Sequence, residues 1–64
     1  MPNAIETEQI LITLQRFLNA NTKNNAAETL LFQFGCELLQ CSEDHLMELL
    51  SRPEIQFCAK HYDE

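Results

Sequence analysis

A single glycine, Gly35, serves the whole of this 64-residue chain. That excludes the glycine-rich loops that cradle phosphates, which need several glycines for the backbone to approach the ligand. Asn-Gly and Asp-Gly pairs are missing, as are runs of alternating β-branched residues. A sheet would have neither its strands nor the tight turns to join them. Positive charge is scarce as well: Arg16, Lys23, Arg52 and Lys60 stand singly against ten carboxylates, for a formal net charge of −6. Long-range attraction to a phosphate backbone is therefore lacking, and no direct nucleic-acid partner is expected. No apolar run nears the roughly 20 residues a bilayer span requires. The first eight residues are acidic and lack the basic-then-apolar layout of a signal peptide. No membrane association and a cytoplasmic location are the resulting expectations. Cys36, Cys41 and Cys58 are odd in number and carry no export context, so reduced thiols are expected in place of a disulfide framework.

What is present is a hydrophobic content of 45% against 22% charged residues, the balance of a packed domain. Residues 1–64 read as a single helical domain. Ile10, Leu11, Leu14, Phe17 and Leu18 recur at helical spacings and form one stripe of a helix from about residue 5 to 19. An asparagine-rich stretch, residues 19–25, breaks the pattern and reads as a turn. A second helix starts near Asn25, with Glu28 placed as in a capping box, and runs toward Cys41. Its expected inward stripe is Ala27, Leu30, Leu31, Phe34, Leu38 and Cys41. Gly35 costs about 1 kcal/mol in a helix interior relative to alanine. Close approach of a neighbouring backbone is the expected compensation.

Ser42, followed by Glu43 and Asp44, reads as the cap of a third helix carrying Leu46, Met47, Leu49 and Leu50. Ser51-Arg52-Pro53-Glu54 fits a capping box with proline in the first turn. It opens a short fourth helix, with Ile55, Cys58, Ala59 and Tyr62 inward. The fold class is all-α: a small bundle of two longer and two short helices. A chain this short buries only roughly 60% of its unfolded surface, and such scaffolds usually need further support. Completion of the bundle by homodimerisation is the expected form of it.

Five apolar residues fall outside these stripes. Ile5 and Ile12 share one side of the first helix, Phe32 and Leu39 share one side of the second, and Phe57 lies off the face of the fourth. Together they make the expected partner-binding face. In a domain this small the same residues can also be buried between the chain's own helices. Cys58 and His61, at i and i+3, are the sharpest chemical pair and a weak zinc candidate. A second ligand pair is poorly presented, because Cys36 and Cys41 diverge by about 140° on a continuous helix. No metal and no cofactor are expected. Cys58 with His61 as its base lacks room for a cleft and an oxyanion site, so no enzymatic activity is expected.

The leading functional reading is a non-enzymatic protein–protein interaction module, a small regulator, adaptor or inhibitor. It forms homo-oligomers or seats another protein on a hydrophobic helical face. A second reading is an acidic inhibitor or nucleic-acid mimic of the phage type. In that case Glu43, Asp44, Glu48, Asp63 and Glu64 would form one strip fitting a basic groove. A third is a small zinc-stabilised helical module. A DNA-binding helix-turn-helix ranks below these: aligning Gly35 with its turn places Leu31 where a small residue belongs and Asp44 where an apolar one belongs.

Overall fold

The computed structural model describes residues 2–61. Among these the chain is all-helical: α1 (Ala4–Ala20), α2 (Asn25–Leu39), α3 (Glu43–Leu50) and α4 (Pro53–Lys60). Each start has a local cause. Asn3 Oδ1 accepts from the Glu6 amide at 2.8 Å while the Glu6 carboxylate accepts from the Asn3 amide, a reciprocal capping box at α1. At α2 the cap is Asn24, one residue before the expected Asn25, and its side chain accepts from the Ala27 amide at 3.1 Å. Glu28 thereby loses the position from which it could reach back to the cap.

Ser42 caps α3 as its sequence predicts, accepting from the His45 amide at 3.2 Å. The expected box at Ser51 does not form. Its hydroxyl instead donates to the Glu48 carbonyl at 2.8 Å and closes the end of α3, leaving α4 to begin behind Arg52 with Pro53 in its first turn. Gln56 supports the same corner by donating from Nε2 to the Leu50 carbonyl at 2.6 Å.

One buried cluster draws on all four helices: Leu11, Leu14 and Leu18 from α1, Leu39 from α2, Leu46 and Leu50 from α3, and Ile55 from α4. Ala59 is buried as well. Helix α1 packs along α4 and α2, while α3 bridges α2 and α1. The Cα envelope measures 29 × 27 × 15 Å, so the short dimension holds only two layers of helices at the usual spacing of about 8–10 Å.

Gly35 lies at the crossing. A Cβ built there would stand 2.6 Å from Leu14 Cδ2 and 2.9 Å from Leu46 Cδ2, inside the reach of any carbon–carbon contact. The glycine is the condition for α2 to approach α1 and α3 this closely, as its place in the sequence suggested.

The inward face of α2 differs from the expected one. Leu39 is only 7% exposed and Phe32 packs against the core, whereas Leu30, Phe34 and Leu38 face outward. The helix is turned by about 100° from the stripe read off its periodicity. The physical reason is Gly35: the side from which α2 can come closest is the side without a side chain, and Leu31, Leu39 and Phe32 flank it. On α1 the stripe holds except at Phe17, which is exposed. On α3 the exception is Met47, also exposed. Cys58 is half-buried on α4, and Tyr62 lies outside the described residues.

Candidate functional site

The consequence of the turned α2 is an apolar face on the outside of the α1/α2 pair. Phe17 from α1 and Leu30, Phe34 and Leu38 from α2 are 40–65% exposed. Ile10, Leu14, Phe17, Leu31, Phe34 and Leu38 line a groove of about 370 Å³ between the two helices, rimmed by Glu6, Gln9 and Thr13. A second concavity continues over Leu30, Leu31, Gln33, Phe34 and Glu37. A phenylalanine can bury roughly 150–250 Å². Two of them more than half exposed, with Leu30 and Leu38 beside them, make an exposed apolar area on the α1/α2 pair. Helices α3 and α4 contribute nothing to the lining of this groove.

The five residues expected to form a partner face are divided. Leu39 and Phe32 turn inward, as described. Ile12 and Phe57 do come together, lining a separate groove between α1 and α4 with Gln9, Thr13, Cys58 and His61. Ile12 is partly buried against the core, and Phe57 is exposed. Ile5 is exposed near the start of α1. The periodicity of α2 therefore pointed to a second apolar face but exchanged its residues with those of the core.

The chain matches no family model, no curated protein and no solved structure.

Polar chemistry on the surface is dispersed. Glu43, Asp44 and Glu48 are all exposed on α3, with the first two in its opening turn beside the helix dipole. Asp63 and Glu64 lie outside the described residues, so the proposed strip of five is represented by these three. The His61 ring lies 4.4 Å from the Phe57 ring at 33°, seated on the aromatic one turn earlier. Among the described residues no three His, Cys, Asp or Glu side chains converge as a metal site. No helix of the described residues is long and apolar enough to cross a membrane.

The end of α2 departs from expectation in a second way. The helix stops at Leu39, and Gln40 adopts the left-handed conformation at φ 54°, ψ 49°. The Cys41 amide then bonds back to the Cys36 carbonyl at 3.1 Å. This is the six-to-one bond of a Schellman cap, which sets the fourth-last residue of the helix against the residue two past its end. Both positions are cysteines here. They are brought together and do not diverge, because the chain reverses at Gln40 and does not continue as a helix. Burial, the neighbouring Cys41 and Glu43, and a hydrogen bond with the Cys41 thiol together raise the Cys36 pKa.

Proposed function

We propose that this protein is a non-enzymatic protein–protein interaction module whose working unit is a homodimer joined through the outer face of α1 and α2. The observation that carries the reading is the exposure of Phe17, Phe34 and Leu38 around one groove, with exposed Leu30 on the adjoining concavity. A second copy is the occupant that fits best. A two-fold axis across this face would set the exposed Leu30, Phe34 and Leu38 of each copy against the groove of the other. A dimer interface needs about 800 Å² from each partner, a modest share of the chain's 4714 Å². Burying this face against a second copy would add to the small core that one short chain can build.

Light scattering behind size exclusion, run over a range of protein and salt concentrations, tests this. A species of twice the 7.4 kDa chain mass is expected, populated more as salt screens the repulsion between two chains of net charge −6. A chain that stays monomeric at high concentration and high salt would remove the second copy as occupant. The alternative occupant is an amphipathic helix with basic flanks from another protein, and its binding would weaken as salt rises.

A further inference from the structure

We propose that Cys36 and Cys41 form a redox-active dithiol site, converted to an intramolecular disulfide by low-molecular-weight disulfides, that clasps the C-terminal cap of α2. The geometry carries it. The left-handed Gln40 and the 3.1 Å bond from the Cys41 amide to the Cys36 carbonyl hold the two backbones together. With standard bond lengths that bond confines the Cα atoms to at most about 7 Å from each other, the upper limit of the separation a disulfide can bridge. The two side chains occupy the paired positions of a Schellman cap, which ordinarily touch as an apolar contact. Both thiols are half-buried and line one open concavity with Glu37, Gln40 and Ser42, so a small reagent can reach them. Cys58, on α4, lines a different groove.

The step balances with glutathione disulfide as oxidant. The Cys41 thiolate attacks one sulfur of the reagent, its S–S bond breaks, and the first glutathione thiolate leaves with the bonding electrons. Cys36 then releases its proton, attacks the Cys41 sulfur of the mixed disulfide, and expels the second glutathione thiolate. Two protein thiols are oxidised by two electrons, one glutathione disulfide is reduced to two thiols, and the protons from the cysteines end on the leaving groups. The raised pKa of Cys36 disfavours its thiolate and makes it the poorer first attacker.

The test is equilibration of the full chain in glutathione redox buffers, followed by acid quenching, a free-thiol titration and non-reducing peptide mass mapping. In the native protein the titre should fall from three thiols to one, with a peptide linking Cys36 to Cys41 that lacks two hydrogens. The ratio of intramolecular to mixed disulfide should be at least tenfold higher in the native protein than in guanidinium. Cys58→Ser should keep the link and Cys41→Ser should abolish it. Mixed disulfides alone, a link to Cys58, or an equal ratio in native and denatured protein would each overturn the proposal.

Discussion

At Gly35 two opposing effects of one methyl group can be weighed. Alanine in its place gains about 1 kcal/mol of helix propensity. Its Cβ would collide with Leu14 and Leu46, both already buried, and overpacking of this kind costs about 1–3 kcal/mol. Gly35→Ala should therefore lower stability by up to roughly 2 kcal/mol, seen as a fall of several degrees in the thermal midpoint. A rise in midpoint would mean that the helices part at no cost. Leu46 is fully enclosed, and Leu46→Ala should cost about 2–5 kcal/mol. Against the roughly 3–10 kcal/mol expected for a domain of this length, that is a large share of the total, and urea titration should find a strongly lowered midpoint.

Cys36 has a pH signature. Its thiol pKa is raised in the folded chain, so the fold favours the protonated form. The associated stability is fully present below the ordinary value of 9.0 and is lost as pH rises through the folded value. Urea midpoints measured from neutral to alkaline pH should fall more steeply for the native chain than for Cys36→Ser. Equal slopes would assign the alkaline loss to other groups.

At the scale of elements, the caps decide where each helix begins, and they separate neighbouring residues of the same type. Asn24→Ala removes the bond to the Ala27 amide and should cost about 1 kcal/mol. Asn25→Ala, inside the first turn, should stay within about 0.5 kcal/mol. Thermal unfolding of the two variants would reverse this order if Asn25 were the cap. The number, order and approximate limits of the helices were legible because apolar spacing and serine, asparagine and proline punctuation are local signals. The face of α2 was not legible from spacing, since Ala27, Leu30, Leu31, Phe32, Phe34, Cys36, Leu38 and Leu39 cover more than half of its circumference. The usable signal was Gly35, whose bare side marks the line of closest approach. The meeting of Cys36 and Cys41 was hidden for a related reason: nothing in a Leu-Leu-Gln-Cys run announces a left-handed residue at Gln40, where glycine is the usual choice.

At the scale of the whole molecule, two layers of helices and one small buried cluster leave the α1/α2 face uncovered among the described residues. A second groove, between α1 and α4, holds Ile12 and Phe57 and is the competing location for a contact. The two faces are distinguished by a pair of substitutions at exposed aromatic positions, where neither change disturbs the core. Sedimentation equilibrium of the native chain, Phe34→Asp and Phe57→Asp is the most direct test. The expected result is a dimer that Phe34→Asp weakens by more than about 30-fold, the scale of a contact worth 2 kcal/mol or more, with helicity retained and Phe57→Asp without effect. A dimer lost in Phe57→Asp and kept in Phe34→Asp would contradict it and place the contact on the α1/α4 groove.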